Sequence, residues 1–229
     1  MPILYILSIV FMLVGMLIQW RLKSKFQEYG QTRNLANLTG EQIAKKMLND
    51  YGIYDVQVVC VEGMLSDHYN PLNKTVNLSD AVFHQASVSA AAVASHECGH
   101  AVQHATAYSM LTLRSKIVPI VSFASGWMTW VLLAGIIALR FGNIYVLTIG
   151  VILFSITTLF SFITLPVEFD ASARALKWLE EKKITGGEEH DKAKDALKWA
   201  AMTYVVAALG SLVTLLHYAS LLAGAKRRD

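Results

Sequence analysis

The run His96-Glu97-Cys98-Gly99-His100 sets two imidazoles four residues apart with a carboxylate between them. On a helix such positions share one face, so both rings can ligate a single ion. Glu97 lies about 100° round the helix from His96, beside the pair, where a carboxylate can take a proton from water activated by that ion. The chemistry this pattern supports is metal-assisted hydrolysis. Cys98 points roughly the opposite way, and Gly99 leaves its flank without a side chain, so a neighbouring strand or a substrate can approach closely. The bland alternative is a pair of histidines that merely caps a buried helix.

A hydrolytic zinc site needs a third protein ligand and an open position. Glu168, in Leu165-Pro166-Val167-Glu168-Phe169-Asp170-Ala171-Ser172, is the candidate. Two apolar stretches long enough to cross a bilayer separate it from His100, so the chain returns to the same side. One or three crossings would leave it across the lipid. A carboxylate at the end of an apolar span is costly unless it gains a partner such as a cation. The competing role is a helix-start acid interacting with the helix dipole. Nitrogen and carboxylate donors at an open site favour one catalytic Zn2+, with cobalt or manganese able to substitute.

Other titratable residues fit plainer roles. Asp170 faces away from Glu168 on a helix and suits a supporting or surface position. His104 lies about a turn too far along to join the same ion and reads as a polar helix-face residue. Glu188, Glu189, His190 and Asp191, after Gly186-Gly187, read as the solvated start of a helix. His217, alone in an apolar stretch, reads as a hydrogen-bonded packing residue. No motif identifies an oxyanion-stabilising group; His68, Tyr69 and Arg174 are candidates.

These residues must be positioned by a membrane protein. The 229 residues are 54% hydrophobic, with mean hydropathy +0.42, too apolar for an ordinary soluble domain. Residues 1–20, 117–139, 141–167 and 199–225 are uncharged and long enough to cross a bilayer core, which takes about 20 helical residues. The first lacks a basic leader and reads as an anchor rather than a cleaved signal. Arg21, Lys23, Lys25, Arg33, Arg114, Lys116, Arg174, Lys177, Lys182 and Lys183 flank the spans on the side expected to be cytoplasmic. Lys226, Arg227 and Arg228 break that rule if the last stretch crosses fully, and Gly210, Ser211 and His217 within it suit a partly interfacial helix equally well. A net charge of +3 spread along membrane-flanking segments points to lipid headgroups and away from nucleic acid. Two cysteines, one inside the motif, fit a reducing compartment without a disulfide framework.

Between the first two spans, Thr39-Gly40-Glu41-Gln42 reads as a capping box that opens a helix, with Ile43, Met47 and Leu48 on one face and Gly52 at its end. Residues 55–61 and 75–79 read as strands and residues 66–74 as turn-rich. The second strand is expected either as an edge that pins an extended peptide or as part of an ordinary hairpin on the motif helix. Ser87 opens an alanine-rich helix that carries the motif past His104. Arg140-Phe141-Gly142-Asn143 leaves room only for a tight turn between spans two and three. An interfacial belt accounts for several of Trp20, Trp127, Trp130, Trp178 and Trp199.

With these motifs in place, HECGHAVQHATAY, two spans, then LPVEFDASARAL resembles the bacterial membrane-bound neutral zinc metallopeptidases of the YugP type. It is more distantly similar to the HtpX and prenyl-protein (CAAX) endoproteases. The close likeness covers most of the chain from about Asp67 onward. It implies a membrane-integrated metalloendopeptidase of gluzincin-like type with its site at the cytoplasmic face, His96, His100 and Glu168 as zinc ligands and Glu97 as general base. The distant group carries an aspartate four residues after the third ligand to orient a ligand histidine. Here that position is Ser172, so either Ser172 acts more weakly or another residue does the work.

The expected fold is mainly α and membrane-integrated: about four transmembrane helices with a small cytoplasmic α+β zincin-like subdomain. Its parts are an anchor (1–20), the subdomain with the HExxH helix (21–116), a transmembrane hairpin (117–167), a cytoplasmic helical segment carrying Glu168 (168–200) and a C-terminal membrane helix (201–225). The expected activity is cleavage of peptide bonds in membrane-associated proteins or peptides at the cytoplasmic face of the cell membrane. The expected partners are a protein or peptide substrate and the lipid bilayer, and a membrane-protein partner or a homo-oligomer is compatible with the chain. The rival reading is a non-catalytic membrane scaffold or regulatory subunit that retains a structural zinc. Zinc transport ranks last, because the spans offer only His217 as a ligand.

Overall fold

The computed structural model describes residues 2–226; Arg227 and Arg228 lie outside the described residues. The protein is mainly helical with one small sheet. In order the elements are α1 (Pro2–Gly30), α2 (Gly40–Asp50), β1 (Gln57–Val61), β2 (His68–Asn70), β3 (Thr75–Ser79), α3 (Asp80–Phe83), α4 (Val88–Ala105), α5 (Ser109–Leu139), α6 (Tyr145–Glu181) and α7 (Glu188–Lys226). Four of these helices, α1, α5, α6 and α7, are long and apolar enough to cross a membrane. The described residues form two compact units, one of residues 2–17, 113–165 and 203–226, the other of residues 18–112 and 166–202.

The first unit packs apolar helices through small residues. An added Cβ on Gly135 of α5 would lie 2.6 Å from the Leu147 Cα of α6, and one on Gly150 would lie 2.8 Å from Leu132 Cδ2. In lipid, where apolar burial provides no drive between helices, such close backbone approach supplies the packing. Phe11 of α1 lies over Gly210 of α7, at 3.3 Å from where a Cβ would stand. His217 packs against Tyr5 with ring centroids 6.1 Å apart. Its Nδ1 has no hydrogen-bond partner, which corrects the expectation of a hydrogen-bonded residue at this position.

The second unit holds the sheet, in the order β1-β3-β2. β1 runs parallel to β3, pairing Cys60 with Leu78, and β2 runs antiparallel to it, pairing Tyr69 with Val76. β3 is therefore central and paired on both sides, and the edges are β1 and β2, the latter inside the stretch read as turn-rich. Three residues ended by Pro71 carry too little pattern to announce a strand. Asn70 Oδ1 accepts the N–H groups of Leu72 and Asn73 to shape the turn into β3.

α2 begins with the expected capping box, Thr39 and Gln42 exchanging side-chain and backbone bonds. Its buried face of Ile43, Met47 and Leu48 joins Val76, Leu78, Val88, Ala91, Val102, Trp178 and Leu179 in one core. Trp178 is 2% exposed and its Nε1–H donates to Asp50 at 3.1 Å, so it is a core residue rather than part of a belt. α6 runs unbroken through Pro166, and α7 is likewise continuous. The boundaries drawn from the sequence at 167/168 and 200/201 thus fall inside helices. The ring at Pro166 removes one N–H from the ladder, a local loss that a 37-residue helix absorbs.

Candidate metal centre

α4 starts where Ser87 Oγ accepts the Ala90 N–H. The small residues Ala90, Ala91, Ala92 and Ala94 let it lie deep in the core. His96, His100 and Gln103 follow at helical spacing along one face. The two imidazoles meet edge to face, with centroids 4.8 Å apart and planes at 82°.

Across from them, α6 presents Glu168 and Ser172, four residues apart on one face, with Ala171 between. Glu168 is 3% exposed, and its Oε2 lies 3.4 Å from His96 Nε2 and 3.6 Å from His100 Nε2. One donor atom from each of the three residues falls within 4.8 Å of the others. The approach depends on Gly99: a Cβ there would stand 2.6 Å from Ala171 O. The neighbour that uses this bare flank is a helix, α6, rather than a strand or a substrate.

The ring nitrogens that face away from Glu168 are both engaged. Gln103 Nε2 donates to Val167 O and to Asp170 Oδ2, each at 2.8 Å. Both are acceptors, so the amide oxygen must turn toward His100 Nδ1, 3.0 Å away. That contact calls for a proton on Nδ1 and leaves the Nε2 lone pair aimed at Glu168. The Ser172 hydroxyl, 3.1 Å from His96 Nδ1, can support the same tautomer there. Asp170 is in turn held by Arg174 at 2.6 Å, so of its two expected roles it takes the supporting one.

Glu97 is buried beside the pair, and its Oε2 accepts the backbone N–H of Tyr69 at 2.9 Å. The Tyr69 hydroxyl bonds His104 Nδ1 at 2.8 Å, which gives His104 the polar-face role its spacing suggests. His68 Nδ1 bonds Ser66 O. Of the oxyanion candidates, Arg174 is committed to Asp170 and also lies over the Tyr108 ring. Cys98 turns into the core against Ala44 O, and burial, aided by Glu97, pushes its thiol pKa up. The acidic run at Glu188 opens α7, with Glu188 paired to Lys192 and His190 bonded to Thr185.

Burial opposes a charge on His100, but Glu168 and Glu97 outweigh it and raise the imidazole pKa. An ion would replace that proton. Tetrahedral zinc with bonds of about 2.0–2.2 Å holds its donors roughly 3.3–3.6 Å apart. The two imidazole-to-carboxylate separations match this spacing, and two nitrogens with one carboxylate form a donor set that suits the ion. The buried residues therefore fit zinc.

A family model described as "Putative neutral zinc metallopeptidase" matches residues 4–223. The chain belongs to this family. It is also 42% identical over 200 residues, covering 87% of this chain and 88% of the relative, to the "Putative membrane protease YugP" of Bacillus subtilis (strain 168). No solved structure matches. Membership in the family implies zinc, and in this chain His96, His100 and Glu168 form a candidate site with donors that could hold it.

Two contributors escaped the sequence reading. Gln103 sits three residues after His100 on the same helical face, and that spacing was a usable signal. The Tyr69 N–H belongs to a backbone whose register only the folded sheet sets.

Proposed function

We propose that this protein is a membrane zinc metalloendopeptidase of gluzincin-like type, with His96, His100 and Glu168 as ligands and Glu97 as general base. The observation that carries the reading is the convergence of both Nε2 atoms on the Glu168 carboxylate, taken with the family match. Zinc bound there supplies a Lewis acid that acidifies water and polarises a peptide carbonyl. The Tyr69 N–H fixes one oxygen of Glu97 and leaves the other to take a proton from the attacking water. Glu97 then passes that proton to the leaving amine. Gln103 and Ser172 hold the imidazoles so that both lone pairs face one point.

The substrates proposed are membrane-associated proteins or peptides cleaved at the cytoplasmic face. The support is the basic residues that flank the apolar stretches within the helices, Arg21 and Lys23 in α1 and Arg114 and Lys116 in α5, which favour the cytoplasm. The proposed arrangement is multi-pass. The parts are those drawn from the sequence: an anchor, a cytoplasmic zinc-binding portion, a membrane hairpin, a helical segment carrying Glu168 and a last membrane helix.

The test is Glu97→Gln in the full chain, with peptide cleavage, zinc content and circular dichroism measured together. Loss of cleavage by about 100-fold or more, with zinc and fold retained, is expected of a general base. Undiminished cleavage would refute the mechanism and favour a scaffold with a structural ion.

A further inference from the structure

We propose that Cys60, Asp80 and His84 form a second, surface site for a zinc-class divalent cation, separate from the buried centre. None of the three belongs to the catalytic machinery. The parallel pairing of β1 with β3 sets Cys60 beside Leu78 and Val61 beside Ser79. This brings the thiol to the point where β3 ends and the chain turns into α3. Asp80 and His84 stand four residues apart at that turn, with Asp80 Oδ1 3.7 Å from His84 Nε2. One donor atom from each of the three side chains lies within 4.8 Å of the others.

The donor types narrow the ligand. Calcium and magnesium take oxygen ligands, whereas a thiolate, an imidazole and a carboxylate together suit zinc and its borderline relatives. Sulfur, nitrogen and oxygen around tetrahedral zinc stand about 3.3–3.8 Å apart. The histidine-carboxylate pair is already at that distance, and the thiol, within 4.8 Å of both, needs to close by at most about an ångström on the same geometry. The side chains can do so, since Asp80 is 84% and His84 64% exposed. His84 also rests edge-on against Phe83, with centroids 4.9 Å apart, which limits the ring's freedom. An exposed histidine-aspartate pair contributes little by itself and leaves the nearby thiol without a role. Three protein donors and open coordination positions make a site that clips β1 to the start of α3 and exchanges its ion with solvent.

Cobalt(II) is the probe, because a thiolate ligand produces a near-ultraviolet charge-transfer band that a site of two histidines and a glutamate cannot. Full-length reduced protein in detergent should show this band. Cys60→Ser should abolish it together with one bound equivalent, His84→Ala should weaken the affinity at least ten-fold, and His96→Ala should leave the band in place. Cys98 is buried and does not supply the signal. Absence of the band in the wild type, or its survival in Cys60→Ser, overturns the proposal. Cys60 and His84 are exposed, so circular dichroism of both variants should match the wild type.

Discussion

Gly99 and Ala171 are in backbone contact: a methyl group on Gly99 would stand 2.6 Å from the Ala171 carbonyl oxygen and 3.2 Å from its Cα. The two helices that carry the proposed ligands touch here, between His96 and His100 on one side and Glu168 and Ser172 on the other. The obstacle is backbone, which cannot rotate away. Gly99→Ala should push α6 off α4, cost about 1–3 kcal/mol in stability as overpacked cores do, and lower zinc content. Thermal unfolding and metal analysis check this together; full zinc content with unchanged stability would show the contact to be unimportant.

Gln103 joins His100 to Val167 and Asp170 through three bonds. Gln103→Leu removes all of them and leaves the buried His100 Nδ1–H without an acceptor, while Asp170 keeps Arg174. Loss of such support typically weakens metal affinity about 10–100-fold, and each orphaned buried group costs about 1–3 kcal/mol. A zinc competition titration should find the larger fall here and a smaller one for Ser172→Ala, which removes a single hydroxyl contact. Equal affinities in Gln103→Leu and wild type would argue against the orienting role.

Zinc retention should weaken with acid, because the imidazoles must be neutral to bind. The raised pKa of His100 in the metal-free protein brings this loss to a higher pH than an ordinary histidine would. The sign for metal-free stability is opposite. A folded pKa above the unfolded one contributes stability that is present below the unfolded value and lost as pH rises through the folded one. The gap in melting temperature between zinc-loaded and chelator-treated protein should therefore narrow from pH 8 towards pH 5. A gap independent of pH would remove His100 from the binding site.

In the apolar unit, Gly135 meets the Leu147 backbone as Gly99 meets Ala171. Gly135→Leu should loosen the α5–α6 pair and lower thermal stability in detergent, whereas Gly126→Leu, at a position with nothing within 4 Å, should not. Comparable melting of the two variants would mean that the close contact contributes little.

Much of this arrangement was legible from local pattern. The spacing of His96, Glu97 and His100 is a property of any helix. The capping box at Thr39 and the cap at Ser87 are short-range bonds between near neighbours, and the apolar stretches need only length and composition. Glu168 stood out because a carboxylate ending an apolar run is costly. β2 did not stand out, since three residues carry no periodicity and are held by pairing with β3 and by Glu97, 28 residues further along the chain.

Sequence alone determined the chemical cast: two imidazoles and a carboxylate on one helix, a second carboxylate beyond two apolar runs, and a chain suited to lipid. Tertiary structure decided how these groups face one another. Which amide turns toward His100, which backbone N–H holds Glu97 and which helix fills the bare flank of Gly99 all depend on contacts between residues distant in the chain. Such contacts form only when helices pack at a particular rotation and depth, and the periodicity of either helix alone does not encode that choice.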